Sequence, residues 1–460
     1  MLGTPASTPT YATTAHVGDP GFHPDIRNYG ACWGPRLLSR AAAVNCAELI
    51  YDWNKIYAES LRTAGPVLLD DETLRDGLQS PSVRDPSIAE KLEILHLMEV
   101  LGINMADIGL PGAGQRAYED ALAIAAEIGR SRLKLRPNCA ARTLESDIRP
   151  IAEIQQKSGV PMEVAMFLGS SPIRRYTEGW SGDFLLRTTE RAVKYARMLE
   201  LDVMYVTEDT TRCDPDTIRC LYTAAINCGA KAITLTDTCG HATPMGARAL
   251  VRFVVENVIK PSGQAIRLDW HGHCDRGLAV ANAISALVAG AECVHGCAIG
   301  IGERVGNTQM DLMLVNLKLM GVEPWASQDL TALKTYCEAV ARATEMPIPH
   351  NYPVVGRDAF RTATGVHASA VVKAWRKQDA ELMNAVYSGV PAHCFGLEQI
   401  IDVGPMSGRS NVIYWLERRG IAADDDLVEA ILSKAKNSQR CLSESEILET
   451  IEGRRQRRAA

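Results

Sequence analysis

The chain lacks the features that mark nucleic-acid-binding and membrane-spanning proteins. Its 49 Lys and Arg residues are outnumbered by 55 Asp and Glu residues, which gives a formal net charge of -6 and a sequence pI of about 6.0. This balance provides no basic surface for nucleic acid or an anionic membrane. The sequence also has no run of about 18 apolar residues, the length that a membrane span requires. We therefore expect small-molecule partners, with neither nucleic acid nor membrane among them.

The chain also lacks a cysteine framework and a secretion signal. Its 13 cysteines are scattered, form no CxxC pair and lie mostly in apolar runs, which indicates free thiols in a reducing compartment. The opening residues are rich in Thr, Ala and Pro and have neither the basic start nor the apolar core of a signal peptide. These observations predict a disordered tail over 1–27 and a cytoplasmic protein.

What the sequence does contain is a regular series of apolar strands, each followed by a helical pattern. At 460 residues, with 46% hydrophobic and 23% charged residues, the chain can form one large domain with appendages. Eight such units over 66–325 match the roughly 250 residues of a TIM (β/α)8 barrel. An open doubly wound sheet is the alternative, which eight near-regular units disfavour. The predicted strands are VLLD at 67, MADIG at 105, LKLR at 133, MEVAMF at 162, VMYV at 203, ITLT at 233, IRLDW at 266 and CVHGC at 293.

Two further segments flank the predicted barrel. Residues 28–65 read as a helical N-terminal extension. Residues 326–460 begin with an amphipathic helix and continue through a loop-rich stretch to about 410, after which two short helical patterns follow. This C-terminal part cannot form a ninth barrel unit, so we predict mainly helical subdomains whose loops reach an active site, in this subunit or a neighbour.

Polar clusters follow five of the eight predicted strands. They read DDETLRDGLQ, TEDTTRCD, DTCGHATP, HGHCD and GCAIGIGERVGN. In a TIM barrel the C-terminal ends of the strands carry the catalytic groups. The clusters are therefore expected to face one mouth of the barrel and to form an active site there.

The stretch LDWHGHCDRG predicts part of a metal site. His271 and His273 share one face of an extended strand because side chains alternate with period 2. The alternative is that each is a satisfied polar group at a strand end. With a carboxylate from Asp76 and an amide oxygen from Asn307 they form a mixed nitrogen and oxygen set that suits Mg, Mn or Zn. Cys274 points to the opposite side of the strand, where a packed thiol is expected.

Other side chains in these clusters suggest carbonyl chemistry. A metal with open positions could chelate a 2-oxo acid, and Arg75 could stabilise the oxyanion that develops on attack. A salt bridge to Glu72 or Asp76 is the other interpretation of Arg75. Glu208 and Asp209 face different ways at a strand end, so only one can point into the mouth, and we select Glu208. The glycines of GIGERVG suit either a nearby ligand or a tight turn.

In this order and spacing, the motifs DETLRDG, TEDTTR, DTCGHATP, HGHCDRGLAVANA and GIGERVGN resemble the isopropylmalate synthase and homocitrate synthase family of acyl-CoA-dependent Claisen-condensing metalloenzymes. The resemblance covers residues 66–440. It implies a TIM barrel that adds the methyl carbon of acetyl-CoA to a 2-oxo acid. Hydrolysis of the thioester then gives a 2-substituted malate, as in a 2-isopropylmalate synthase-like acyltransferase.

The resemblance also assigns roles to individual residues. Asp76, His271 and His273 bind the metal, with Asn307 close by or ligating. By the same resemblance, Arg75 polarises the oxo acid and Gln79 sits beside it. Glu208 is catalytic, and Thr238 holds the substrate carboxylate.

Two C-terminal segments match the family as well. GRDAFRTATGVHASAVVK and VYSGVPAHCFG resemble segments that send a histidine and a tyrosine, here His367 and Tyr387, into the partner subunit's active site. The resemblance thus implies a homodimer whose active sites are completed by the partner, with both residues helping to activate the acetyl-CoA methyl group. Taken alone, His367 is a lone loop histidine, which is more often structural than catalytic.

Departures from the family pattern concern the acceptor. Met204 stands where homocitrate synthases have an arginine, which argues against 2-oxoglutarate, and Val206 replaces a serine. Arg174 replaces a histidine of the substrate pocket, and Cys274 replaces an asparagine. Arg174 could bind a second anionic group, as in oxaloacetate or phosphonopyruvate, or could equally be solvated.

Two other functions stay open on the sequence. The RDGLQ wording at 75–79 is shared with 3-hydroxy-3-methylglutaryl-CoA lyases, which cleave a hydroxyacyl-CoA in the retro-Claisen direction. The GIGERVGN loop and the C-terminal segments favour the synthase, although Cys297 lies close to the place of a lyase cysteine. A non-catalytic sensor of an oxo acid or CoA is the third interpretation, and the complete ligand set argues against it.

Overall fold

A computed structural model describes residues 49–54 and 65–459. The tail predicted over 1–27 lies outside the described residues, as does most of the helical extension predicted over 28–65. None of the described helices is at once long enough and apolar enough to cross a membrane.

Eight parallel strands in the described part of the chain close into a barrel in sequence order, with β8 pairing with β1. The closure confirms the TIM barrel and excludes the open sheet. The strands are β1 Leu68–Asp71, β2 Met105–Asp107, β3 Arg136–Arg142, β4 Glu163–Gly169, β5 Asp202–Glu208, β6 Ala232–Asp237, β7 Arg267–Gly272 and β8 Cys293–Gly296.

The third strand lies further along the chain than the sequence suggests. The apolar pattern of LKLR places it at 133–136, whereas β3 runs over Arg136–Arg142. The reason is that β3 has the sequence RPNCAAR, in which Pro137 and Asn138 look like strand breakers. Asn138 is buried and donates a hydrogen bond of 2.8 Å to Asp70 of β1, so a polar residue serves as a core residue here.

Helices pack around the barrel between successive strands. The first helix begins with a capping box. Ser87 accepts a hydrogen bond from the backbone N–H of Glu90, and the carboxylate of Glu90 accepts one from the backbone N–H of Ser87. The helix ends before Gly102, whose φ of 77° suits a helix stop. The helices are α1 Ile88–Val100, α2 Gln115–Ser131, α3 Glu145–Ser158, α4 Pro172–Glu178, α5 Gly182–Met198, α6 Pro215–Asn227, α7 Pro244–Val254, α8 Ala279–Ala289 and α9 Met310–Leu319.

The C-terminal part is mainly helical, as expected. The predicted amphipathic helix is α10, and its Tyr336 donates a hydrogen bond to the Asp71 carboxylate of β1, which ties the segment to the barrel. The stretch predicted as loops up to 410 contains two helices, so His367 lies in a helix and not in a loop. The elements are α10 Leu333–Thr344, β9 Arg361–Thr362, α11 Gly365–Arg376, α12 Ala380–Ala385, β10 Ile400–Ile401, α13 Arg409–Glu417, α14 Asp425–Lys436 and α15 Glu444–Ala459.

Candidate functional site

The C-terminal ends of the strands surround a cavity of about 300 Å³. Alternate residues of each strand point into the barrel, and the residues between them pack against the helices. Strand β7 therefore turns His271 inward, and His273 follows on the same face; both line the cavity. The sequence prediction that the polar clusters meet at one mouth corresponds to this arrangement.

The two histidines lie close enough to share an ion. Their Nε2 atoms are 3.1 Å apart, and Nε2 of His273 is 3.8 Å from Oδ2 of Asp76. Ligand atoms at about 2.0–2.1 Å from a metal have neighbours at this kind of spacing. Burial, together with His271, lowers the pKa of His273 to about 4, so its ring is neutral and has a lone pair to offer.

Oxygen atoms without partners complete the fit to a metal. Oδ2 of Asp76 and Oδ1 of Asn307 are buried and accept no hydrogen bond from any described residue. Nδ2 of Asn307 donates to the carbonyl of Ile301 at 3.1 Å, which leaves its oxygen free. Buried oxygens that accept no hydrogen bond require another partner. A hard divalent cation is a suitable one.

The glycine-rich loop after β8 places Asn307 by a tight turn. Gly306 has φ of 89°, and a Cβ atom there would lie 1.7 Å from the carbonyl oxygen of Gly300. The close approach of these two backbones explains the glycines, so the turn interpretation accounts for the motif. Asn307 pairs with His273 through an isolated antiparallel bridge, which brings the loop to the metal candidates.

Arg75 makes three ion pairs and still lines the cavity. Its guanidinium donates to Asp107 Oδ2 at 2.7 Å, to Asp76 Oδ1 at 2.5 Å and to Glu72 Oε1 at 3.0 Å. The salt bridges that the sequence suggests as an alternative are therefore present. These ion pairs fix the orientation of the Arg75 guanidinium beside the candidate metal ligands.

Two residues of this site, Glu72 and His295, have no functional role predicted from the sequence. Glu72 lies at the end of β1, with Oε2 2.8 Å from Nδ1 of His271. On its other side, Oε1 of Glu72 accepts a hydrogen bond of 2.9 Å from Nδ1 of His295 on β8. The available signal was a charged residue inside an otherwise apolar strand, CVHG, which is uncommon without a partner.

Glu208 lies at the rim of the cavity with a side chain that is 31% exposed. Burial raises the pKa of its carboxyl above the usual value, and the guanidinium of Arg174, 3.7 Å away, opposes the rise. The neighbouring Asp209 turns away and binds Nε of Arg212 at 2.8 Å. The two carboxylates thus face different ways, and Glu208 is the one at the mouth.

The other predicted substrate ligands divide into two groups. Gln79 and Thr238 line the cavity, and Oγ1 of Thr238 accepts a hydrogen bond of 2.9 Å from the backbone of Asp209. Arg174 is not among the described residues that line the cavity. It lies outside the rim, where it also contacts Glu178 at 3.1 Å.

The cavity has two chemically different walls. The metal candidates come from β1, β7, β8 and the segments that follow these strands, and Glu208 at the end of β5 adds a carboxylate at the rim. The apolar side of the cavity comes from β3, β4, β5 and the loop after β2, and consists of Leu110, Ala140, Ala165, Phe167, Met204 and Val206. The apolar side chains thus face the metal candidates across the cavity.

The two cysteines near the site are packed thiols. Cys274 donates a hydrogen bond of 3.1 Å to the carbonyl of Asn307, and burial raises its pKa to about 11. Cys297 is fully buried, and burial holds its pKa well above the usual value. The expected packing of Cys274 is thus observed.

His367 and Tyr387 lie together, away from this cavity. Their rings stack with centroids 4.2 Å apart, and both side chains are exposed. Neither lines the cavity described above. The structure thus brings the two residues to each other but not to the site of their own chain.

Comparison with known proteins shows the family of this chain. The HMGL-like family model matches residues 67–340. A homocitrate synthase from Methanopyrus kandleri is 31% identical over 372 residues, which cover 80% of this chain and 87% of that protein. A 2-isopropylmalate synthase from Shouchella clausii is 32% identical over 383 residues, covering 82% and 71% of the two chains.

Solved structures share the fold at lower identity. An HMG-CoA lyase from Bacillus subtilis superposes with a TM-score of 0.53 at 19% identity, covering 62% of this chain and 96% of that one. A hydroxymethylglutaryl-CoA lyase from Pseudomonas aeruginosa gives 0.51 at 21% identity, covering 61% and 93%. The family model spans more than half of the chain, and the residues that it spans form the barrel. The chain therefore belongs to the HMGL-like family.

Proposed function

We propose that the protein condenses acetyl-CoA with a 2-oxo acid and hydrolyses the thioester to give a 2-substituted malate, as a 2-isopropylmalate synthase-like acyltransferase. One observation carries the proposal: His271, His273, Asp76 and Arg75 converge on one cavity at the mouth of the barrel. The similarity to two synthases at about 31% identity supports it.

The charged wall binds and polarises the oxo acid. Asp76, His271, His273 and Asn307 would hold a divalent ion, Mg, Mn or Zn, which when bound would supply Lewis-acid activation of the carbonyl. Arg75 stabilises the negative charge that develops on the carbonyl oxygen. Gln79 lies beside the oxo acid and Thr238 binds its carboxylate.

Glu208 is the proposed base, and two residues from a second subunit are proposed to assist it. Burial raises the pKa of its carboxyl above the usual value, which makes the carboxylate a stronger base. In the proposed homodimer, His367 and Tyr387 of one chain reach the cavity of the other and help to deprotonate the methyl group of acetyl-CoA. Their exposure, their stacking and their absence from the lining of the cavity of their own chain support this exchange.

The apolar wall indicates the acceptor. Met204 and Ala165 are buried and pack with other apolar residues inside the barrel. A second carboxylate or a phosphonate placed there would be desolvated without a counter-charge, which is costly. We therefore propose an acceptor with an uncharged side chain.

The buried thiol of Cys297 disfavours the lyase alternative. The sequence analysis placed this residue near the position of a lyase cysteine, but its side chain is fully buried and does not line the cavity. The structural similarity to lyases lies at 19–21% identity and shows the fold alone.

A cytoplasmic location is part of the proposal. Every cysteine in the described part of the chain is free, which is typical of a reducing compartment.

Thiol release from acetyl-CoA tests the proposal. The full chain is assayed with Mg, Mn or Zn and a panel of 2-oxo acids: 2-oxoisovalerate, pyruvate, phenylpyruvate, 2-oxoglutarate, oxaloacetate and phosphonopyruvate. Release that requires both a metal and an acceptor is expected, and Asp76→Ala should abolish it. Asp216→Asn, an exposed carboxylate on α6 paired with Arg219, is the matched control and should retain activity. Absence of release with every acceptor, together with cleavage of a hydroxyacyl-CoA, would establish the lyase instead.

A further inference from the structure

The carboxylate of Glu72 is enclosed by three nitrogen donors at the end of β1. Nδ1 of His271 lies 2.8 Å from Oε2, and Nδ1 of His295 lies 2.9 Å from Oε1. Nη2 of Arg75 donates to the same Oε1 at 3.0 Å. Glu72 is 3% exposed, so these contacts are made away from solvent and hold the carboxylate from several sides.

Glu72 faces one of the two ring nitrogens of His271. Nδ1 lies 2.8 Å from Oε2 of the carboxylate, so Nε2 is the nitrogen that points away from Glu72. Nε2 lies on the side of His273, whose Nε2 is 3.1 Å away. This is the side on which Asp76 also lies.

His295 lies between Glu72 and a second buried carboxylate, Asp269. Nε2 of His295 lies 3.4 Å from Oδ2 of Asp269, and Asp269 in turn accepts from Nε of Arg267 at 2.9 Å. All of these side chains are buried or nearly so. A continuous set of polar contacts therefore runs from the barrel interior through His295 and Glu72 to His271.

His273 has no comparable support. Its Nδ1 atom is buried and has no hydrogen-bond partner among the described residues. Of the two histidines, only His271 thus has a carboxylate at the nitrogen opposite the metal side. Glu72 is thus the carboxylate that contacts His271 on the side away from His273.

We propose that Glu72 is a positioning residue of the metal centre, which orients His271 with Nε2 towards the ion, and that His295 holds Glu72 in place. The inference rests on the proposed function, because it presupposes a metal bound by His271 and His273. Carboxylates that orient ligating histidines commonly contribute about 10–100-fold to metal affinity. The same effect is expected here.

Titration of the metal-free full chain with Co²⁺ tests the inference without relying on turnover. Visible absorption gives both the dissociation constant and the spectrum of the bound ion. Glu72→Gln should bind Co²⁺ about 10–100-fold more weakly than wild type. The absorption bands should keep their positions at saturation, because the ligands themselves are unchanged.

Glu163→Gln is the matched control. Glu163 is a second carboxylate inside the barrel, 2.8 Å from Nη2 of Arg267, and in the described part of the chain its side chain forms no ion pair with a metal candidate. Its variant should retain the Co²⁺ affinity of wild type. If Glu72→Gln does not fold, His295→Leu replaces it, and a smaller loss of affinity is expected because Oε1 of Glu72 then keeps only the hydrogen bond from Arg75.

Each contrary outcome has a distinct meaning. Wild-type affinity in Glu72→Gln, or in His295→Leu where that variant is the one tested, would overturn the inference alone. Shifted absorption bands in Glu72→Gln would also overturn it, since Glu72 would then be a ligand itself. Failure of the wild-type chain to bind Co²⁺ would overturn the metal centre of the proposed function and the inference with it.

Discussion

Arg174→Gln should move the acid limb of the pH profile to higher pH. Arg174 lies 3.7 Å from Glu208, and the two side chains are 42% and 31% exposed. Its positive charge favours the ionised carboxylate, which is the form that accepts a proton. Removal of the charge therefore raises the pKa of Glu208 further, and a higher pH is needed to reach the active form.

The expected size of the shift follows from the exposure of the pair. Solvent-exposed ion pairs contribute about 0.2–1 kcal/mol, and one pKa unit corresponds to about 1.36 kcal/mol. The acid limb of kcat/KM should therefore move by about 0.1–0.7 pH unit. At about 1 M salt the Debye length is about 3 Å, so the profiles of wild type and variant should converge.

The assay is thiol release from acetyl-CoA across the pH range, at low and high salt, with a saturating metal. Arg175→Gln is the matched control, because Arg175 is on the same helix but donates to Oγ1 of Thr217 at 3.2 Å. An acid limb that stays in place, or that moves to lower pH, would refute the proposed role of Glu208 or its coupling to Arg174.

The same variant decides whether Arg174 binds the acceptor. If Arg174 contacts a second anionic group, Arg174→Gln should raise KM for oxaloacetate or phosphonopyruvate and leave KM for 2-oxoisovalerate unchanged. The position of Arg174 outside the cavity lining instead predicts similar KM changes for all acceptors.

Two further predictions concern stability and the dimer. Arg267→Met should lower the free energy of unfolding by about 3–5 kcal/mol, because it leaves Asp269 buried without its arginine partner. Chemical denaturation measures this change, with Arg219→Gln as the surface control. A loss below about 0.5 kcal/mol, the range expected of the control, would contradict the prediction. Mixed dimers of Asp76→Ala and His367→Ala chains should regain up to half of the wild-type activity, since one of their two sites has both residues intact. Mixed dimers that are as inactive as either parent would exclude the exchange of His367 between subunits.

The fold was predictable because the strands of the barrel are short apolar runs at regular spacing. The facing of His271 and His273 was predictable as well, since it depends only on the period of a strand. Strand β3 was misplaced because its inward residues include Asn138, which binds Asp70 of β1, 68 positions away. A local pattern cannot reveal a partner so distant in sequence.

The same limit explains why Glu72 and His295 received no role. They are separated by 223 positions, and only the closure of the barrel by β1 and β8 brings them together. The sequence shows each as one charged residue in or beside an apolar strand, which is ambiguous on its own. The pairing of their charges becomes apparent only when the register of β8 against β1 is known.

The division of the cavity has a consequence for substrate choice. The metal candidates belong to β1, β7 and β8, whereas the apolar wall belongs mainly to β3, β4 and β5. Substitutions at sites that share no partners usually have additive effects. Met204→Ala should therefore broaden the range of acceptors towards larger side chains while the Co²⁺ affinity stays at the wild-type value, because Met204 lies on the apolar wall and is not one of the metal candidates. A parallel loss of metal affinity would show that the two walls are coupled, and acceptor selectivity could then not change independently of the metal centre.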